Sequence, residues 1–115
     1  MTTYEKVKAV ADALGIPAYP DDFTRPDTKY ITYNFLYEDP ADFGDDQPHS
    51  VIGSVQVHLF MPRDENFFAL RTAIRQGLFE QGLTYPTITL NTIETGTTTR
   101  HIVFECEDDE DAENI

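Results

Sequence analysis

Apolar residues recur at Tyr4, Val7, Ala11 and Leu14, alternating steps of three and four that lay one hydrophobic stripe along a helix. Thr2 and Glu5 stand before it at capping-box spacing, so the helix is expected to begin at Thr3. Gly15 offers a left-handed stop, Ile16 can fold back on the last turn, and Pro17 blocks continuation. Pro17, Pro20 and Pro26 make 17–27 read as an extended connector, with Tyr19 and Phe23 as candidates to dock on the core.

From 28 to 38 the period changes to two. Ile31, Tyr33, Phe35 and Tyr37 alternate with Tyr30, Thr32, Asn34 and Leu36. A second strand at 51–61 sets Val51, Val55, Val57, Leu59 and Met61 on one face and Ser54, Gln56 and His58 on the other. Gly53 interrupts its apolar face and points to a bulge or a close approach of another backbone. Between these strands, 38–50 reads as a long polar loop of the kind that is usually functional or mobile.

Pro62 ends the second strand, and Asp64 is the expected N-cap of a second helix. Phe67, Leu70, Ile74 and Leu78 form its buried stripe, helped by Phe68 and Ala73, and Gly82 ends it. Two further strands, 87–93 and 99–107, close the domain, with Ile88 and Leu90 inward on one and Ile102, Phe104 and Cys106 inward on the other. The expected fold is α+β, in the order α-β-β-α-β-β: a four-stranded antiparallel sheet with both helices packed on one face. Residues 1–107 form a single domain, and 108–115 are expected to be an acidic, disordered tail.

Charge sharpens this picture. The 115 residues carry a formal net charge of −13, with 21 Asp and Glu against 8 Lys and Arg. Five carboxylates fall in 38–46 and seven in 105–113, so negative charge is concentrated at a hairpin tip and one terminus. Such acidity argues against gripping a phosphate backbone, which needs clustered Lys and Arg. It suits a protein that must not stick to DNA, or one that imitates it. One cysteine, no apolar run of 18 residues and no signal-peptide core lead to the expectation of a soluble protein made in a cytoplasm, with no membrane partner.

Candidate chemistry is thin. Glu38, Asp39, Asp42, Asp45 and Asp46 could offer oxygen to a hard cation, but their spacing fails the EF-hand pattern, and a solvated tip is the better reading. His49, His58 and His101 lack an evident third ligand for a metal. Cys106 has only carboxylates beside it, which disfavour a thiolate. No nucleophile elbow or phosphate loop is present, and no enzymatic activity, metal or cofactor is expected. Arg63, Arg71 and Arg75 gather on or beside the second helix. They form either a solvated face paired locally with Glu65 and Glu80, or a basic patch that receives an acidic surface from a neighbouring copy.

Over 3–107 the chain resembles the small tail-terminator and head–tail joining (tail-completion) proteins of long-tailed bacteriophages and prophages. The resemblance lies in the opening amphipathic helix, the long-looped hairpin, the Pro62-Arg63-Asp64 entry into a Phe-rich helix and the closing β-pair. It implies a structural protein of the virion, assembled in the host cytoplasm as a ring, usually hexameric, that caps the tail tube. Its partners would be the major tail tube protein and the head–tail connector proteins, and DNA would pass without specific binding. No single residue carries over from the family. On this reading Arg63, Arg71 and Arg75 are interface candidates, and Glu38, Asp39, Asp42, Phe43, Asp45 and Asp46 face the lumen or the tube. The alternative is an acidic binding module, a DNA mimic or an inhibitor of a nucleic-acid-binding protein.

Overall fold

Helix α1 (Thr3–Ala13) begins at the expected box: Thr2 accepts from the Glu5 N–H through its side chain, and Glu5 returns a bond to the Thr2 N–H. It ends in a Schellman turn, with Gly15 at φ 70°, the Ile16 N–H donating to the Ala11 carbonyl (3.0 Å) and the Gly15 N–H to Asp12 (3.1 Å). The computed structural model describes residues 1–21, 27–44 and 47–111. Strands β1 (Ala18–Pro20), β2 (Tyr30–Gly44) and β3 (Gln47–Pro62) follow, then α2 (Phe68–Glu80), β4 (Thr87–Ile93) and β5 (Thr99–Asp111). Among the described residues no helix is long and apolar enough to cross a membrane.

The sheet corrects the expected fold class. It has five strands in the order β1-β2-β3-β5-β4 and is mixed, because β1 runs parallel to β2 while the other pairs are antiparallel. Its prolines disguise β1. At a sheet border the missing donors cost nothing, since the Pro17 carbonyl accepts the Ile31 N–H (2.8 Å) and the Asp21 N–H donates to Tyr33 (2.7 Å). Phe23 and Pro26 lie outside the described residues.

The segment expected to loop, 38–50, is strand for most of its length. β2 runs to Gly44, β3 starts at Gln47, and Pro40 pairs with Val51 and Ala41 with Ser50. β5 likewise continues past the boundary expected at 107: Asp108 pairs with Gly53 and Asp111 with Ser50. Three strands thus prolong the sheet into an arm, and the molecule measures 54 × 25 × 22 Å. Carboxylates solvated on an arm lack the apolar alternation that marks a strand, so backbone pairing alone reveals it. Asp45, Asp46 and 112–115 lie outside the described residues, as do the side chains of Asp42, Phe43 and His49.

Both helices lie on one face. Val7, Val10 and Ala11 of α1 and Ile74 and Leu78 of α2 cover Ile31, Tyr33, Val55, Val57, Leu59, Met61, Ile102 and Phe104. Each fully buried Val, Leu, Ile, Phe or Met side chain among them contributes about 1.5–3 kcal/mol. Two bulges re-aim exposed side chains. A register shift between Phe35 and Tyr37 turns Tyr37 to the helix-free face opposite Ser54, and another between Ile88 and Leu90 does the same to Leu90, opposite Val103. Neither Tyr37 nor Leu90 therefore joins the buried face expected of it; they are 49% and 42% exposed.

Gly53 marks a close approach, but of a side chain. A β-carbon there would stand 2.6 Å from Cε1 of Phe35, whose ring stacks on Tyr4 with centroids 4.9 Å apart. The N-terminus of α2 also differs from expectation. Asn66, not Asp64, organises it, accepting the Phe68 N–H at 2.9 Å, because it stands two residues before that N–H, the spacing of an Asx turn.

Candidate assembly surfaces

Helix α2 buries Ile74 and Leu78 and so turns Phe68, Arg71, Arg75 and Phe79 outward, at i, i+3, i+7 and i+11; Phe68, expected to help the buried stripe, lies in the first turn on a different side of the helix from Ile74. The Arg71 guanidinium lies 5.1 Å from the Phe68 ring centre and 5.6 Å from that of Phe67. Arg75 sits over Tyr85 at 5.8 Å, and Tyr85 meets Phe79 edge-on. Arg100, from β5, lies 4.4 Å over Phe67 and donates to Asn91 (2.8 Å). Phe68, Phe79 and Tyr85 remain 58%, 52% and 49% exposed, so an unusually apolar surface surrounds two cations.

The local pairs considered for these arginines do not form. Glu65 is taken by Lys29 at 2.7 Å, and Glu80 accepts from Gln76 at 3.1 Å. Nε of Arg71 and of Arg75 is buried without a hydrogen-bond partner among the described residues. Arg63 stands apart, exposed in the turn before α2 with its N–H bonded to the Thr98 carbonyl (2.8 Å). The structure thus groups Arg71 and Arg75 with aromatics and leaves Arg63 off that platform.

On the arm, Glu38 and Asp39 are exposed on opposite faces of β2, Asp39 sharing the helix-free face with Tyr37. Asp108 takes another part. It is 3% exposed and accepts from both Lys6 Nζ (2.9 Å to each oxygen) and the Thr3 hydroxyl (2.7 Å), tying β5 to the first turn of α1. Sequence reasoning placed it in a solvated tail. Only its position two residues beyond inward-facing Cys106 could have signalled burial.

The helix-free face carries a polar and aromatic ladder. Tyr30 stacks on Phe60 at 4.8 Å and Phe60 on His101 at 4.3 Å. His101 Nε2 lies 2.8 Å from His58 Nδ1, and His58 Nε2 lies 3.2 Å from Gln56 Oε1. The Gln56 amide donates to Glu105 (3.1 Å), as does the Thr89 hydroxyl (2.9 Å). With Gln56 Oε1 accepting, His58 donates from Nε2 and takes the His101 N–H at Nδ1. The two histidines do stand on adjacent strands. No cluster of three or more His, Cys, Asp or Glu among the described residues is arranged to hold a metal ion.

Cys106 is 4% exposed, and burial, with Asp108 nearby, pushes its thiol up to about 12. The folded value lies above the unfolded one of about 8.5, so the folded chain keeps a proton that the unfolded chain sheds. Stability should therefore fall as pH climbs from the unfolded value toward the folded one. A chromogenic disulfide reagent at pH 8 should leave the native thiol unmodified and label it once guanidinium unfolds the chain. Rapid labelling of the native protein would show an accessible thiolate instead.

No protein-family model matches the chain, and no curated protein matches it. Among solved structures, a chain of "Virion of native gene transfer agent (GTA) particle" is similar at a TM-score of 0.52 and 15% identity. The match covers 96% of this chain and 92% of that one, so the shared fold runs end to end.

Proposed function

We propose that the protein is a structural subunit of a phage-like virion that joins copies of itself, edge to edge, into a ring through which DNA passes. The observation that carries this reading is the state of the sheet's two borders. β4 forms one border with Thr87-Ile88-Thr89-Leu90-Asn91-Thr92-Ile93, a run without Lys, Pro or any charge to discourage pairing. At the other border β1 covers β2 only from Ile31 to Tyr33, and beyond Tyr33 no other strand among the described residues pairs with that edge. Two different open edges on opposite sides of one sheet make a head-to-tail contact, which closes into a ring when the rotation allows. The end-to-end fold match to a virion chain supports the same reading.

In this role the protein is a tail terminator or head–tail joining protein, forming a hexamer that caps the tail tube. Its neighbours are the major tail tube protein and the head–tail connectors. The net charge of −13 lets duplex DNA slide, because carboxylates repel phosphate and release no counterions. The role includes no catalytic step, metal or cofactor.

Lysines on the β4 border test it. Leu90→Lys with Thr92→Lys should leave the circular dichroism of the monomer intact. Light scattering and negative-stain microscopy should then find monomers where the parent chain forms rings. A parent chain that stays strictly monomeric at millimolar concentration overturns the proposal.

A further inference from the structure

We infer that the arginine–aromatic stripe of α2 receives the hairpin arm of a second copy, with Asp39 seated on Arg71 and Arg75. The inference rests on the self-assembly reading above and names a contact within it.

The distribution of cations leads there. Lys6 is held by Asp108, Lys8 by Asp12 and Lys29 by Glu65, at 2.9, 2.8 and 2.7 Å. Arg63, Arg71, Arg75 and Arg100 have no carboxylate among the described residues, although the chain carries 21, and of these Arg71 and Arg75 share the outward side of α2 with the exposed Phe68 and Phe79. Contact with Phe67, Phe68 and Tyr85 restricts both guanidinium groups, so less entropy is lost when a carboxylate arrives. The surrounding Phe68 and Phe79 ask for an anionic partner with apolar company.

The arm has that composition. Asp39 makes no ion pair among the described residues, and the bulge at Leu36 puts Tyr37 on the same face two residues away. Leu36 and Tyr37 are 45% and 49% exposed. Within one chain Asp39 does not reach either arginine, so a second copy must supply it. An acidic arm on one protomer and a cationic stripe on the next is a heterologous contact, the kind from which rings are built. Opposite charges also fix its register.

Cross-linking of mixed copies decides the matter. One copy carries Tyr37→Cys and the other Thr72→Cys, exposed on α2 beside the two arginines; native Cys106 is buried and does not compete. A short bis-maleimide should trap the mixed dimer. Arg71→Glu with Arg75→Glu in the Thr72→Cys copy should lower the yield about tenfold, as a loss of ~1.4 kcal/mol gives. Asp39→Arg in the other copy should restore it. Absence of the mixed dimer, or a yield indifferent to charge reversal, overturns the inference. If no mixed dimer forms while rings still form and dissolve with the β4 lysines, the edge-to-edge reading stands and the arm contact alone falls. If the mixed dimer forms and the β4 lysines leave the rings whole, the contact stands and the edge fails.

Discussion

Asp108→Ala should lower the folding free energy by about 3 kcal/mol, near the lower end of what breaking a buried ion pair costs. Asp108 is almost wholly enclosed, yet both its oxygens are occupied by Lys6 and one also by the Thr3 hydroxyl. Deleting the carboxylate removes the bond that the Thr3 hydroxyl, 1% exposed, donates to it and leaves the Lys6 ammonium without that counter-charge. The lower end applies because the Lys6 side chain is 17% exposed and can turn its head to water. The carboxylate also sits at the first turn of α1, where the helix dipole favours negative charge. In urea the midpoint should drop by more than about 1 M, given slopes of about 1–3 kcal/mol per M for a chain of this size. Lys6→Met with Asp108→Leu, which removes both charges, should recover most of the loss. A change below about 1 kcal/mol for Asp108→Ala would mean that the pair contributes little and that β5 is held by backbone pairing alone.

Gly53→Val should cost about 2 kcal/mol and loosen the arm. Any β-carbon at Gly53 collides with the Phe35 ring, and that ring cannot simply swing away because Tyr4 stacks on it at 4.9 Å. Overpacking costs about 1–3 kcal/mol, and the broken aromatic pair adds about 0.5–1.5. Relief of glycine's backbone entropy returns about 0.5–1. Phe35 lies just before the β2 bulge, on the strand that leads into the arm, so the displaced ring should disturb everything beyond it. Amide exchange should therefore quicken at Glu38 and Asp39 more than at Leu59 or Phe104. Uniform exchange across the sheet would show that the glycine serves local packing and not the setting of the arm.

Where sequence reading succeeded, the information was local. The box at Thr2 and Glu5, the stops at Gly15 and Gly82, and the inward registers of Ile31, Val57 and Phe104 all appear in the structure as expected. Each depends on neighbours within a turn or on a period of two. Leu90 and Tyr37 were misread because a single inserted residue in a strand flips every later side chain, and no composition marks the insertion. The arm was missed because acidic residues there obey no apolar alternation. The platform on α2 was half legible: the arginines stood out, while Phe68 was assigned to the buried stripe and Phe79 and Tyr85 were not singled out.

What the chain's order of residues determined alone is the set of helices and central strands, the single buried layer between them, and an excess of anions concentrated in two places. Tertiary structure decided the rest. It drew the proline-rich segment into the sheet as a parallel border and made one tail carboxylate the buried anchor of α1. It also left Arg71, Arg75 and Arg100 over aromatic rings with no anion among the described residues. The reason is physical: caps and periods are set by residues a few positions apart, whereas edge pairing, charge burial and unpaired cations depend on which distant segments the fold brings together.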